Sequence, residues 1–207
     1  MDGNCPPLLV VEDMPNVLEL LEITLSFNGY PVITARNGQE ALDLVANQIP
    51  SAVITDILMP KMDGYTLAYK LRANPATLHI PIVFLSATYV TPEDKAFALS
   101  LGAVRFLEKP VNTEEFLLAL TEVLSSPVPN SLEPLDEHLF FLGYRERLEN
   151  KLRHKNIQIA RTERLLETIA APQKPAFEAL LEEAYMHQQE IQLELSELFT
   201  IINESKN

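Results

Sequence analysis

The 207-residue chain lacks several features that would each point to a class of function. It has a single cysteine, Cys5, so no internal disulfide can form and a reducing, cytoplasmic compartment is expected. No apolar run approaches the ~18 residues of a membrane span, and the opening stretch MDGNCPPLLVVED carries no cationic leader. Positive charge is scarce, with 16 Lys and Arg against 29 Asp and Glu and a net charge of −13. The deficit is spread along the chain. Residues 1–125 carry 7 basic and 15 acidic groups, and residues 126–207 carry 9 and 14. Neither half suits a surface that meets phosphate backbones, so DNA binding is disfavoured and a membrane partner is not expected. Beyond residue 135 there is no helix-turn-helix pattern, zinc-ligand spacing or Walker-type loop.

What is present is alternation. Short apolar runs read as strands at Leu8–Val11, Val32–Ala35, Ala52–Thr55, Ile82–Leu85 and Val104–Leu107. Helical-period segments lie between and after them, near 15–28, 38–47, 64–73, 92–100 and 113–124. Several strands are apolar on consecutive positions, as expected when both faces of a sheet are covered. The reading is an α/β domain over residues 1–125, with a parallel sheet, right-handed crossovers and helices on both faces. In such sheets the chemistry gathers just beyond the carboxyl ends of the strands.

Those strand ends hold a short list of residues. Glu12 and Asp13 follow the first run, Asp56 the third, Ser86 the fourth, and Glu108-Lys109-Pro110 the fifth. An isolated strand-ending Asp most often just starts a loop. Three carboxylates at one sheet edge are a different matter, because they repel one another and raise each other's pKa unless a cation is near. A hard divalent ion with oxygen ligands is the expected partner, Mg²⁺ above all, with Mn²⁺ able to take the same set. Lys109 adds a second positive charge, and a phosphoryl group is the natural guest of such a cradle. Asp56 can then serve as nucleophile, while Glu12 and Asp13 hold the metal. Lys109 and the Ser86 hydroxyl would contact the phosphoryl oxygens.

These residues carry a resemblance. With Glu12-Asp13, Asp56 in TDILMPKMDG, Ser86 in FLSA and Lys109 in LEKP, residues 5–125 resemble the receiver domain of bacterial response regulators. The resemblance implies a flavodoxin-like five-stranded sheet of order 2-1-3-4-5. It also implies phosphorylation of Asp56 by a sensor histidine kinase or a phosphotransfer protein, and a cis peptide between Lys109 and Pro110. Metal ligands would come from Glu12, Asp13, Asp56 and the backbone carbonyl of Leu58. The family's switch maps onto Ser86 and Phe106, with residues 91–124 as the surface that changes. Phe106 stands where the family more often has Tyr, and without a hydroxyl it should favour the inward position. Leu58 stands where many relatives carry a polar residue, and it is read as a shield that slows loss of the acyl phosphate. Such a domain is a phosphoacceptor switch with slow autodephosphorylation, not an enzyme acting on an external substrate.

Residues 126–134, with three prolines in the stretch Ser125–Pro134, read as a linker. Residues 135–207 then change period. Phe141, Leu148, Leu152, Ile159, Leu166 and Ile169 lie near heptad spacing, interrupted by Lys155 and Thr162. Ala171–Pro175 reads as a break. After it Phe177, Leu181, Ala184, Gln188, Ile191, Leu195, Leu198 and Ile202 follow strict four-three steps with one polar member, Gln188. Two helices of this kind predict an all-α antiparallel hairpin, or coiled coil, that dimerises or docks a downstream protein. The basic run from Arg145 to Lys155 is interleaved with Glu146 and Glu149 and reads as a solvated helix face. The alternative is a phosphorelay component whose tail acts as a histidine phosphotransfer or kinase-like bundle. His154-Lys155-Asn156 and His187-Gln188-Gln189 lack the acidic residue that follows a kinase's phosphorylated His. A third reading is a receiver whose output enzyme lies elsewhere.

Overall fold

The computed structural model describes residues 6–86, 91–126 and 136–204. Cys5 and, apart from Ser126, the linker segment 126–134 lie outside the described residues. The chain divides into two compact units, Met1–Leu135 and Asp136–Asn207.

In the first unit, strands β1 (Leu8–Val11), β2 (Val32–Ala35), β3 (Ala52–Thr55), β4 (Ile82–Ser86) and β5 (Arg105–Glu108) form one parallel sheet of order β2-β1-β3-β4-β5. Helices α1 (Pro15–Phe27), α2 (Gly38–Asn47), α3 (Gly64–Ala73), α4 (Pro92–Ser100) and α5 (Thr113–Ser125) alternate with them. The three inner strands β1, β3 and β4 are buried at every position, whereas edge strands β2 and β5 are only partly covered. That is why the inner three read as unbroken apolar runs. Period-two geometry sorts their side chains. Leu8, Val10, Ala52, Ile54, Val83 and Leu85 pack with Leu18 and Leu25 of α1 and Phe116, Leu120 and Val123 of α5. Phe84 points to the opposite face, where its ring meets Tyr65 of α3, which in turn meets Phe97 of α4 edge-on.

Local chemistry ends these elements where the pattern predicts. Asn37, Asp63, Thr91 and Asn112 cap α2 to α5 with side-chain oxygens, and Thr91 with Asp94 completes a capping box. Two boundaries differ from the expectation. Ser86 is the last residue of β4, not the first beyond it, and β5 runs from Arg105 to Glu108, one residue later than its apolar pattern. Pairing decides both, since Ser86 sits opposite Glu108 in the ladder.

Arg72 is a buried cation whose hydrogen-bond acceptors among the described residues are all backbone carbonyls. Its guanidinium donates to the carbonyls of Leu78 and Ile80 ahead of β4 and of Gly102 ahead of β5. Burial pushes its pKa down to about 10.

The second unit is a hairpin of α6 (Glu137–Thr168) and α7 (Lys174–Glu204), joined through a 3-10 turn at Ala171–Gln173. Three cross-helix bonds establish that they run antiparallel. Tyr144 donates to Glu194, Gln188 donates to Asn156 at 2.6 Å, and Tyr185 donates to Glu163 at 2.5 Å. The α7 stripe is as expected, with Ala184, Ile191, Leu195, Leu198 and Ile202 buried and Gln188 half-buried on its Asn156 partner. The α6 stripe begins differently. Phe140 and Tyr144, stacked on each other, are buried with Leu148 and Ile159, while Phe141 is only half-buried. Pro175 does not mark the break, because α7 already starts at Lys174 and the first helical turn tolerates a residue with no N–H to donate.

Candidate functional site

Parallel register assembles the site. Val11 pairs with Thr55, so the next residues on the two strands, Glu12 and Asp56, leave the sheet side by side. The Asp56 amide still donates to the Val11 carbonyl at 2.9 Å and the Glu12 amide to Ala35 at 3.0 Å, which fixes both backbones before the chain turns away. On the other flank the Lys109 amide donates to the Ser86 carbonyl at 2.7 Å. The Lys109–Pro110 peptide is cis.

The side chains converge. Lys109 Nζ lies 2.9 Å from Oδ2 of Asp56 and 2.5 Å from Oε2 of Glu12. Asp56 is 8% exposed and Glu12 only 1%. Oδ1 of Asp56 accepts from the Ile57 amide at 2.5 Å, and Oε1 of Glu12 from the Met14 amide at 3.3 Å. Asp13 is half-exposed and completes a trio whose carboxylate oxygens all come within 4.8 Å of one another.

Charge explains the protonation tendencies. Burial lifts Glu12 above the usual carboxylate range, with Lys109 pulling it down and Asp56 pushing it up. Burial also lifts Asp13, with the Asp56 charge adding to the rise. For Lys109, burial acts to lower the pKa, but the Asp56 charge and the bonds to Glu12 and Asp56 outweigh it and hold the ammonium above its ordinary value. One ammonium among three carboxylates leaves the cluster short of positive charge. All three donors are hard oxygens, so the set fits a divalent cation of the Mg²⁺ class.

Not every expected residue joins this contact set. Ser86 is buried at the end of β4 and connects to the cluster through its carbonyl on Lys109. Phe106 is buried on β5 with its ring 6.3 Å from that of Phe84. Leu58 is half-buried in the turn that follows Asp56. His138 and His187 are exposed on α6 and α7, and His154 is half-buried.

The sequence reading undervalued two glycines. A Cβ on Gly64 would sit 2.1 Å from the Asp56 carbonyl oxygen, and the Gly64 amide closes the loop by donating to Ile57 at 2.9 Å. Only glycine allows α3 to start so close behind Asp56. Gly38 donates to the Met62 carbonyl at 2.9 Å, and a Cβ there would press on Met62. An Asp-Gly pair such as Asp63-Gly64 signals a turn in sequence, but it does not show this close approach.

Comparison with known proteins identifies the family of the first unit. Residues 8–121 match the model of the response regulator receiver domain. The response regulator MprA of Mycobacterium sp. (strain KMS) is 42% identical over 123 residues, which cover 59% of this chain and 52% of MprA. Response regulator PleD of Caulobacter vibrioides is 39% identical over 105 residues, 51% of this chain and 23% of PleD. The chain therefore spans about half the length of MprA and about a quarter of PleD. Among solved structures, the chemotaxis protein CheY4 of Vibrio cholerae is similar at a TM-score of 0.55 and 32% identity, over 58% of this chain and 99% of that one. The BeF3-activated N-terminal receiver domain of Klebsiella pneumoniae RstA gives 0.54 and 28%, over 58% and 99%. With the matched residues spanning more than half of its length and enclosing the whole acid-and-lysine cluster, the chain belongs to the response regulator receiver family of two-component signalling.

Proposed function

We propose that Asp56 is the phosphoacceptor of this chain, taking a phosphoryl group from the phosphohistidine of a sensor histidine kinase or phosphotransfer protein. One observation carries this reading, the convergence of Glu12, Asp13 and Lys109 on a nearly buried Asp56 at the carboxyl edge of the sheet. One oxygen of Asp56 is already held by the Ile57 amide and the other faces the Lys109 ammonium. Attack by a carboxylate oxygen on phosphorus forms the acyl phosphate and breaks the phosphorus–nitrogen bond, whose electron pair stays with the imidazole. Lys109 then pairs with a phosphoryl oxygen, and the Ser86 hydroxyl supplies a further contact. Mg²⁺ (or Mn²⁺), held by Glu12, Asp13, Asp56 and the Leu58 carbonyl, would neutralise charge on the transferring group.

Output passes along β4 and β5. Movement of Ser86 toward the phosphoryl group would be felt on the paired strand β5, whose Phe106 packs beside Phe84 of β4. Phe106 already lies inward, so phosphorylation consolidates that position and the surface over residues 91–124 carries the change. The hairpin of α6 and α7 is the interaction module, either self-associating or docking a protein partner, in a cytoplasmic chain. Among the described residues no helix is long and apolar enough to cross a membrane.

Incubation with a small acyl-phosphate donor and Mg²⁺ tests the assignment. A single base-labile, acid-stable phosphate is expected, and Asp56→Asn should remove it while the fold is kept. A variant that still takes up one phosphate per chain places the acceptor elsewhere, and acid-labile label on a tail histidine supports the relay alternative.

A further inference from the structure

Helix α4 buries fewer residues than any other helix of the first unit. Ala98 alone is buried, with Asp94 and Phe97 half-buried. One side chain from α3 touches it in two places. The Tyr65 ring meets the Phe97 ring edge-on, with centroids 5.1 Å apart and planes at 70°. The Tyr65 hydroxyl makes a long donation, 3.5 Å, to the Asp94 carbonyl in the first turn of α4. Tyr65 itself is 4% exposed, so its ring has little room to move.

The backbone of the same residue leads to Asp56. Tyr65 directly follows Gly64, whose amide bonds the Ile57 carbonyl at 2.9 Å and where a Cβ would come 2.1 Å from the Asp56 carbonyl oxygen. Packing this close has no slack to absorb a shift. The Tyr65 ring also lies 5.5 Å from that of Phe84, which shares a strand face with Ser86 and neighbours Phe106 at 6.3 Å. Ring contacts therefore run without a break from α4 through α3 and β4 to β5.

We infer that Tyr65 is a positioning residue that couples the backbone of Asp56 to the docking of α4, by a route that needs no movement of Ser86 or Phe106. The inference rests on the reading of Asp56 as phosphoacceptor and adds a second line of output to the one through β4 and β5. When a phosphoryl group pulls on the Asp56 loop, the start of α3 follows, because Gly64 leaves no gap. Tyr65 then carries the shift to its contacts with α4. Magnitudes favour the ring over the hydroxyl. An edge-on ring pair is worth about two- to tenfold in an equilibrium. A donation stretched to 3.5 Å is past the usual range of a hydroxyl hydrogen bond. With so little of α4 buried, a change of that size shifts the helix between docked and loosened populations. Coupling is reciprocal, so loosening α4 also changes the equilibrium affinity of Asp56 for a phosphoryl mimic.

Amide hydrogen exchange of the full chain in Mg²⁺ tests this, with and without beryllofluoride as the acyl-phosphate mimic. In the unmodified chain Tyr65→Leu should speed exchange in α4 by about threefold or more and leave α5 unchanged. Tyr65→Phe, which keeps the ring, should behave as wild type. Beryllofluoride should alter α4 exchange in wild type. Part of that response should survive in Ser86→Ala, where the strand route is cut, and none in Ser86→Ala combined with Tyr65→Leu. A purely structural Tyr65 would speed exchange in α4 and α5 alike and leave the beryllofluoride response intact. That outcome overturns the coupling, as does a response wholly lost in Ser86→Ala alone or absent in wild type. Phosphate uptake by Asp56 is measured on the same samples. Uptake with α4 unmoved by Tyr65→Leu overturns the coupling alone, whereas a chain that takes no phosphate overturns the phosphoacceptor reading as well.

Discussion

The Lys109 ammonium stands 2.9 Å from Oδ2 of Asp56 while bonding Glu12 on the neighbouring strand, so a single cation ties together the ends of β5, β3 and β1. It is 15% exposed and its two partners are nearly buried, so solvent screens the trio weakly. Removing it with Lys109→Met leaves two carboxylates facing each other at low dielectric. Loss of one partner from a buried ionic cluster costs on the order of 3 kcal/mol. Urea denaturation without divalent ions should register a loss of that order, and Mg²⁺ should restore part of it. Full stability of Lys109→Met in chelator would show that the carboxylates are not held apart by this cation.

The raised pKa values of Glu12 and Asp13 fix the sign of a pH effect. A carboxyl group that binds its proton more tightly in the folded state contributes stability at low pH and loses it as pH rises through the folded value. A divalent cation binds the charged forms and opposes that loss. The rise in Tm produced by Mg²⁺ should therefore be close to nil below about pH 4 and grow to several degrees by neutrality. Lys109 does not distort the trend, since its raised pKa keeps it charged across this range. Thermal unfolding at fixed ionic strength checks this, and a pH-independent rise would indicate binding away from these acids.

Gly64→Ala is the sharpest steric test of the site. The added methyl would lie 2.1 Å from the Asp56 carbonyl oxygen, a distance that must open by more than an ångström. The loop or the start of α3 has to move, at a cost of about 2–4 kcal/mol. Phosphorylation from a small donor should slow more than tenfold because the displaced backbone belongs to Asp56, the proposed nucleophile. Wild-type rates with Ala at 64 would mean that Asp56 is not positioned by this contact.

Leu58 is half-buried two residues beyond Asp56. If its side chain keeps water from the acyl phosphate, Leu58→Asn should shorten the phosphoryl half-life severalfold, about 1 kcal/mol in barrier. The half-life is followed by phosphate release after removal of the donor. An unchanged half-life would remove Leu58 from the kinetics.

Much of this fold was legible before any coordinates. The five strands lie within a residue of their apolar runs because inner parallel strands must be apolar on both faces, and that requirement leaves consecutive Leu, Val and Ile in the text of the chain. The α7 stripe was legible for a related reason, since a helix buried along one side must repeat at heptad spacing. The start of α6 was not. Phe140 and Phe141 are both aromatic, and only the stacking of Phe140 on Tyr144 decides which one is buried. Gly64 and Gly38 were equally opaque, because a glycine in sequence does not say which backbone approaches it.

The sequence by itself determined the inventory of the site, namely acids after the first and third strands, a hydroxyl at the end of the fourth and a lysine after the fifth. It also determined the polar member of the α7 seam, Gln188. What only tertiary structure decided is who meets whom. Parallel register sets Glu12 beside Asp56, Lys109 chooses both of them over bulk water, and Gln188 finds Asn156 across an antiparallel pair. The physical reason is range. Periodicity records whether a side chain is buried, which is a local requirement, whereas charge pairing and close backbone contact depend on residues tens of positions apart, whose distances exist only once the sheet and the hairpin have formed.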